Sequence, residues 1–208
     1  MSGEAQKAYR GVIHDSDLTF ALGPAGTGKT HNAVMVGCEL LKRRTVQRMV
    51  LVRPAVEAGE KLGFLPGGLE EKVSPYMRPI YDALESPQGL GRDKLDYYLS
   101  KGLIEIAPVA FLRGRTLHDA FVLVDEAQNL TPQQLFMILT RFGEGSKMVI
   151  AADTTQVDLP GGRTQLAITA KKLAGLEGVR LFEFALADVM RHPLVAAIIE
   201  RLEGADSA

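Results

Sequence analysis

The chain has a single cysteine, Cys38, and no tryptophan, and aromatic residues occupy only 6% of its 208 positions. One cysteine excludes a disulfide framework, and such chains usually work in a reducing compartment. Scarce aromatic rings leave few platforms on which nucleic-acid bases could stack. No run of residues approaches the ~18 consecutive apolar positions of a membrane span. Residues 1–10 lack the apolar centre of a signal peptide. We therefore predict a cytoplasmic protein.

An excess of charge of one sign is also missing, because 24 basic residues are balanced by 25 acidic ones and the net charge is −1. This balance does not indicate a strongly basic nucleic-acid binder, although a local basic patch is compatible with it. Apolar residues make up 46% of the chain, which is enough for a core without disulfides or metal. We predict one domain over residues 1–208.

Short apolar runs alternate with helical patterns along the chain. The predicted strands are 18–22, 49–52, 103–106, 121–124, 148–152 and 179–184. The last of them alternates apolar and polar residues, which predicts the edge of a sheet. The predicted helices between and after the strands are 29–43, 132–141, 164–173 and 193–202. Strands that are apolar throughout and separated by helices favour an α/β fold with a mostly parallel sheet covered on both faces.

Residues 53–101 depart from this alternation. The segment contains Arg53-Pro54, a glycine-rich stretch at 62–68, and two predicted helices near 72–84 and 93–99. It is too long for a plain connection between a strand and a helix. We interpret it as an insertion or an elaborated crossover after the second strand, within the same domain.

A glycine-rich loop follows the first predicted strand and matches the pattern G-x-x-x-x-G-K-[ST]. Its residues are Gly23, Pro24, Ala25, Gly26, Thr27, Gly28, Lys29 and Thr30. Glycines let the backbone curl so that N–H groups point at phosphate oxygens, and the helix that follows adds its N-terminal dipole. Lys29 would reach the β- and γ-phosphates, and the Thr30 hydroxyl would ligate Mg²⁺. We predict binding of a nucleoside triphosphate, ATP with Mg²⁺.

Two carboxylates, Asp125 and Glu126, end the fourth predicted strand. Ligands of open parallel sheets bind at the carboxyl ends of the strands, so we expect this pair beside Lys29 and Thr30. Asp125 would hold Mg²⁺, and Glu126 would polarise a water for attack on the γ-phosphate. The alternative is a polar loop that caps the next helix. A glutamate at this place favours transfer to water over transfer to a substrate.

The string Asp125-Glu126-Ala127-Gln128 resembles motif II of the superfamily 1 helicases. Taken with the phosphate loop, the chain resembles the PhoH family more closely still. The resemblance continues through residues 53–67, 104–108, 113–117 and 191–195, and it covers roughly residues 6–202. It implies a single RecA-like P-loop NTPase core, similar to the first motor domain of those helicases. It also implies ATPase activity, with RNA unwinding proposed for some members.

The resemblance assigns roles to residues outside the two main motifs. Gln6 corresponds to an upstream glutamine that reads adenine, since an amide can pair with both N6 and N7 of the base; the alternative is a surface glutamine at a helix start. Tyr9 would pack near the base or in the core. Residues 151–156 resemble motif III, G-D-x-x-Q, with Ala152 in place of the glycine. Gln156 would contact the γ-phosphate, unless it is a solvated loop amide. The strand before it is expected between the strands of the two main motifs.

An arginine is expected to complete the site, because the transition state of phosphoryl transfer gains from an added positive charge. Complete superfamily 1 motors supply it from a second motor domain. We expect another copy or a partner to supply it here in trans. Arg191 is the first candidate, and the others are Arg53, Arg113, Arg115 and Arg163. For each of them a surface salt bridge is the alternative.

The leading hypothesis is an ATP hydrolase of the helicase type that forms a homo-oligomer, such as a ring-shaped hexamer, and acts on single-stranded RNA. Two alternatives remain open. One is a P-loop kinase for a small molecule, against which Glu126 argues. The other is a nucleotide-gated binding module with little turnover.

Overall fold

The structure is a computed structural model, and it describes residues 3–54, 69–153 and 162–190. Within these ranges the chain forms one six-stranded sheet and six α-helices. The strands are β1 (Leu18–Gly23), β2 (Arg48–Val52), β3 (Ile104–Ala107), β4 (Ala120–Val124), β5 (Lys147–Asp153) and β6 (Val179–Glu183). The helices are α1 (Glu4–Asp15), α2 (Lys29–Lys42), α3 (Leu69–Glu85), α4 (Arg92–Ser100), α5 (Pro132–Leu139) and α6 (Gly162–Leu173).

The strand order is β3-β2-β4-β5-β1-β6, and every neighbouring pair is parallel. This confirms the predicted α/β fold with a parallel sheet. It also confirms that β5 lies between the strands of the two main motifs and that β6 is an edge strand. Each strand begins and ends within one residue of its predicted position. The predicted helix at 193–202 lies outside the described residues.

Side chains of successive strand residues point to opposite faces of the sheet, and both faces are buried. Met49 and Leu51 of β2 belong to one core, which contains residues of α1, α2, α3 and α4. Val50 and Val52 belong to the other core, which contains residues of α5 and α6. Most residues of β1, β2, β4 and β5 are buried on one face or the other, so these central strands are mostly apolar. The outer strands β3 and β6 are less buried and include Glu105, Arg180 and Glu183. Among the described residues, no helix has both the length and the apolar character required to cross a membrane.

The two helices predicted within residues 53–101 are α3 and α4. α3 places Met77, Ile80 and Leu84 in the same core as α2, and α4 adds Leu95. The segment therefore extends the helical layer over one face of the sheet, between β2 and β3. Helix α1 was predicted only as a helix start at Gln6, within the alternative for that residue, and no bounds were predicted for it. Its buried positions are Gln6, Tyr9 and Ile13, so a glutamine and a tyrosine weaken the apolar pattern that marks a buried helix face.

Gly37 allows α2 to approach the sheet closely. A Cβ at this position would lie 2.5 Å from Cε of Met49 and 2.6 Å from Cδ1 of Phe121. Alanine would add ~0.5–1 kcal/mol of helix propensity, but overpacking a core costs ~1–3 kcal/mol. We expect Gly37→Ala to lower the free energy of unfolding by up to ~2 kcal/mol. Gly11→Ala is the matched control, because no atom lies within 4 Å of its added Cβ on helix α1.

The two alanine substitutions should therefore have opposite signs in urea unfolding. Gly11→Ala should stabilise the protein by ~0.5–1 kcal/mol, since it carries the propensity gain alone. If both variants are stabilised equally, the close approach of α2 to β2 and β4 is incorrect.

Candidate nucleotide-binding site

The phosphate loop joins β1 to α2. Gly26 and Gly28 have φ angles of 80° and 82°, in the left-handed region where a residue with a Cβ is strained. Gly28 is also the N-cap of α2, so the first N–H groups of the helix open into the loop. Gly23 has φ 154°, and a Cβ there would lie 2.6 Å from Cβ of Phe184. The backbone is thus curled into a concave site that suits an anion.

Lys29 lies inside this loop. Its Nζ donates to the carbonyl oxygens of Gly23 at 2.8 Å and Pro24 at 2.7 Å, and it lies 3.4 Å from Oγ1 of Thr27. Burial lowers the pKa of Lys29, and carboxylates across the cleft oppose that shift. In decreasing order of effect these carboxylates are Asp153, Glu126 and Asp125. The ammonium group is therefore hydrogen-bonded to its own loop, where phosphate oxygens could replace the carbonyls.

Asp125 and Thr30 meet across the cleft, as predicted. Oγ1 of Thr30 donates to Oδ1 of Asp125 at 2.6 Å, and Asp125 is buried. Burial raises the pKa of Asp125, whereas the hydrogen bond from Thr30 and the charge of Arg53 lower it. A hydroxyl and a carboxylate oxygen at one point are hard donors that fit Mg²⁺, which proteins usually bind with one or two carboxylates plus substrate phosphates. Within the described ranges no cluster of three or more His, Cys, Asp or Glu side chains forms a protein-only metal site.

Glu126 has an unusual backbone and two side-chain partners. Its φ and ψ of 52° and 39° place it in the left-handed region. One carboxylate oxygen, Oε1, accepts a hydrogen bond from Nη2 of Arg53 at 3.0 Å, and Oε2 accepts one from Nε2 of Gln128. Arg53 also lies 3.8 Å from Asp125, measured from Nη1 to Oδ2. One candidate arginine therefore reaches the acidic pair from the end of β2, within the same chain.

Gln6 lies beneath the phosphate loop and is buried. Its Nε2 donates to the carbonyl oxygens of Thr27 at 3.1 Å and Asp188 at 3.2 Å. The surface alternative is therefore wrong. Reading of adenine by Gln6 stays a prediction, and it requires the amide to leave these carbonyls. Tyr9 packs in the core, with its ring 5.4 Å from that of Phe182, so the core alternative holds.

A second contact ties α1 to the loop. Nε of Arg10 donates to Oδ1 of Asn32 at 2.7 Å, and Nδ2 of Asn32 donates to the carbonyl oxygen of Gly28 at 2.7 Å. Helix α1 thus braces the phosphate loop at two points, Thr27 and Gly28. The sequence pattern did not indicate this role for Arg10 of α1 or Asn32 of α2.

The structure describes only some of the other predicted site residues. Gln156 and Arg191 lie outside the described residues, so their roles stay predictions. Arg113 is exposed, and the side chain of Arg163 is not described. Arg115 forms a bidentate ion pair with Glu105 of β3, with Nη1–Oε1 and Nη2–Oε2 distances of 2.5 and 2.7 Å. For Arg115 the salt-bridge alternative holds in this state.

Two residues that sequence reasoning left without a role, Gln128 and Asp153, also belong to the site. Asp153 ends β5, and its N–H donates to Oε1 of Gln128 at 2.9 Å. Both residues stand inside strings that resemble helicase motifs, and that resemblance was the signal that could have found them. Asp153, the phosphate loop, the acidic pair and Pro79 of α3 line a cleft of about 300 Å³.

The Glu105–Arg115 pair predicts a pH-dependent contribution to stability. The hydrogen bond from Arg115 holds the pKa of Glu105 below its ordinary value, although burial opposes this. The stabilisation by this ion pair is therefore complete at pH values above ~4.3, the pKa of a glutamate in the unfolded chain. It is lost as the pH falls through the lower pKa of Glu105 in the folded protein. At pH 7 we expect Glu105→Gln to cost ~0.5–1 kcal/mol, since both side chains are about one-third exposed.

Urea unfolding at several pH values measures the difference in free energy of unfolding between wild type and Glu105→Gln. It should shrink as the pH falls below ~4. Glu144→Gln, at an exposed carboxylate, serves as the control for a general charge effect. A difference that stays constant through acid pH would contradict the assigned ion pair.

A parallel sheet with a phosphate loop after β1 and an acidic pair after β4 defines a P-loop NTPase of the RecA-like fold. The large terminase from a thermophilic bacteriophage is a structural neighbour, with a TM-score of 0.59 over 97% of this chain and 50% of that chain. The complex of that terminase with ADP gives a TM-score of 0.53 over the same shares. At 11% and 12% sequence identity these likenesses show the fold alone.

Sequence comparison identifies the family. The model of the family PhoH, PhoH-like protein, matches residues 1–203. The PhoH-like protein of Bacillus subtilis (strain 168) is 53% identical over 196 residues, which are 94% of this chain and 61% of that protein. The PhoH-like protein of Synechocystis sp. (strain ATCC 27184 / PCC 6803 / Kazusa) is 49% identical, over 97% of this chain and 61% of that protein. Protein PhoH of Escherichia coli (strain K12) is 41% identical, over 92% of this chain and 54% of that protein. The chain belongs to the PhoH family, and it spans between 54% and 61% of the length of these relatives.

Proposed function

We propose that this chain hydrolyses ATP to ADP and phosphate in the cleft between the phosphate loop and the acidic pair. The observation that carries the proposal is the 2.6 Å hydrogen bond from Thr30 to Asp125, which brings the two motifs together with Glu126 beside them. Membership of the PhoH family and the RecA-like fold support it. The side chains are those that Mg²⁺-dependent phosphoryl transfer uses.

Each residue has a proposed part in this reaction. Backbone N–H groups of residues 23–30 bind the phosphates, and Lys29 exchanges the carbonyls of Gly23 and Pro24 for β- and γ-phosphate oxygens. Thr30 and Asp125 would hold Mg²⁺, which when bound neutralises charge on these phosphates. Glu126 orients the attacking water and accepts its proton. The new bond joins the water oxygen to the γ-phosphorus, the bond to the β–γ bridging oxygen breaks, and ADP leaves.

The proposal extends to a neighbouring copy. Within the described ranges, the arginine that reaches the acidic pair is Arg53, and it already contacts Glu126 at 3.0 Å. A further positive charge for the transition state would come from another subunit, with Arg191 as the first candidate and Gln156 as the γ-phosphate contact. The assembly would be a homo-oligomer, such as a ring-shaped hexamer, and its substrate would be single-stranded RNA.

Phosphate release from ATP by the purified protein, with and without Mg²⁺ and single-stranded RNA, tests the proposal. We expect release that requires Mg²⁺ and rises with RNA. Transfer of labelled γ-phosphate to an acceptor other than water would instead identify a kinase. Nucleotide binding that changes the oligomer size in light scattering, without phosphate release, would identify a nucleotide-gated binding module.

A further inference from the structure

Gln128 connects the acidic pair that follows β4 to the end of β5. It lies in the short 3₁₀ helix Ala127–Asn129 directly after the acidic pair, and only 1% of it is exposed. Its Nε2 donates to Oε2 of Glu126, and its Oε1 accepts the N–H of Asp153 at 2.9 Å. The reversed amide would place an oxygen against a carboxylate and an NH₂ against an N–H, so the two partners determine its orientation. Both ends of the amide are therefore used.

The partner of Gln128 on β5 is itself in register with the phosphate loop. Asp153 pairs with Gly23, the first residue of the loop, in the parallel ladder of β1 and β5. A chain of contacts thus runs from the loop through Asp153 and Gln128 to the carboxylate of Glu126. It crosses three neighbouring strands, β1, β5 and β4, at their carboxyl ends.

The backbone of Glu126 makes such support necessary. A left-handed conformation costs a residue with a Cβ ~1–2 kcal/mol and persists where the surroundings over-determine it. Arg53 holds one carboxylate oxygen, but its long side chain is 18% exposed and reaches across from β2. Gln128 holds the other oxygen from a fully packed position. Between the two, Gln128 sets the direction of the carboxylate more rigidly.

We propose that Gln128 is a positioning residue for ATP hydrolysis, which fixes the carboxylate of Glu126 relative to the phosphate loop through the N–H of Asp153. The inference rests on the proposed function, because it assumes that Glu126 orients the attacking water and accepts its proton. Gln128 itself is not among the residues that line the cleft. Its loss should therefore lower the rate of the chemical step and leave nucleotide affinity unchanged.

Two substitutions separate the contacts of Gln128. Gln128→Glu keeps the volume and the acceptor for Asp153, but it replaces the donor to Glu126 with a repelling carboxylate oxygen. Gln128→Met keeps a similar volume and removes both hydrogen bonds. A misplacement of about 1 Å costs on the order of 100-fold in rate, so we expect kcat to fall ~10- to 100-fold in both variants. The Kd for ATP, measured by calorimetry with Mg²⁺, should stay within ~3-fold of wild type.

A double-mutant cycle with Glu126→Gln distinguishes positioning from a general structural role. If Gln128 acts through Glu126, both Gln128 substitutions should leave the residual rate of the Glu126→Gln protein unchanged. Additive losses in the cycle, or a Kd for ATP that weakens as much as kcat falls, would overturn the inference. Gln128→Met keeps a similar volume and introduces no buried charge, so it decides the matter even if the glutamate variant unfolds.

The cycle also separates this inference from the proposed function. If Glu126→Gln hydrolyses ATP as fast as wild type, the hydrolytic role of Glu126 fails, and the inference fails with it. If Glu126→Gln is inactive but both Gln128 variants keep kcat within ~2-fold of wild type, the positioning role fails and the hydrolysis stands.

Discussion

Lys29→Met is expected to weaken ATP binding to this chain by roughly 30- to 4,000-fold, because truncating one partner of a buried charge pair costs about 2–5 kcal/mol. The ammonium group is held inside the phosphate loop by two carbonyl oxygens, at 2.8 and 2.7 Å, and is available to exchange them for phosphate oxygens. Methionine preserves most of the aliphatic stem and removes the charge. The phosphates then lose their charged partner in a cleft that also contains the carboxylates of Asp125, Glu126 and Asp153.

Calorimetric titration with ATP and Mg²⁺ measures this loss, and thermal unfolding without nucleotide shows whether the variant is folded. Lys94→Met is the matched control, because Lys94 is exposed on α4. It should bind ATP as wild type does. A Kd for Lys29→Met within ~3-fold of wild type would show that the ammonium group does not contact the phosphates.

Glu126→Gln is expected to lower phosphate release by ~10²- to 10⁴-fold, the range that a positioned general base contributes. The amide keeps the shape of the side chain and can still accept a hydrogen bond from Arg53. It cannot accept the proton of the attacking water. The contacts of Lys29 and Thr30 do not involve Glu126, so ATP binding should be retained.

Single-turnover phosphate release with bound ATP and Mg²⁺ isolates this effect from product release. Glu183→Gln, at an exposed carboxylate in β6, is the control for the loss of one negative charge. Equal rates in wild type and Glu126→Gln would show that another group activates the water, and they would contradict the hydrolytic role of this residue. Wild-type binding with a large loss of rate would confirm it.

The central strands β1, β2, β4 and β5 were predictable because they are buried on both faces and therefore mostly apolar. The edge strand β6 was predictable from its alternation of apolar and polar residues. Helix α1 was not predictable in the same way. Its buried face contains Gln6, whose burial depends on the carbonyl oxygens of Thr27 and Asp188, far away in the sequence. A buried glutamine has no apolar signal, and its partners are visible only in three dimensions. The same limit applied to Tyr9, for which packing near the base and packing in the core were equally compatible with the sequence.

The candidate arginines show most clearly what could not be predicted from the sequence. Five arginines were candidates on chemistry alone, and nothing in their spacing ranked them reliably. In the structure Arg115 pairs with Glu105 of β3. Arg53 pairs with Glu126, which lies 73 positions further along the chain. The contact of Arg53 with Glu126 follows from the strand order, in which β2 lies beside β4. The strand order cannot be predicted from the charge or the type of these residues.

The sequence by itself determined the phosphate loop, the acidic pair and membership of the PhoH family, since each depends on residues that are contiguous in the chain. Local backbone chemistry is enough there: glycines at 26 and 28 permit the left-handed turn, and an apolar strand carries Asp125 and Glu126 to its end. Only the tertiary structure decided what surrounds Glu126. The contacts of Arg53, Gln128 and Asp153 join the ends of β2, β4 and β5, and those strands become neighbours only when all the helices and strands pack into one sheet.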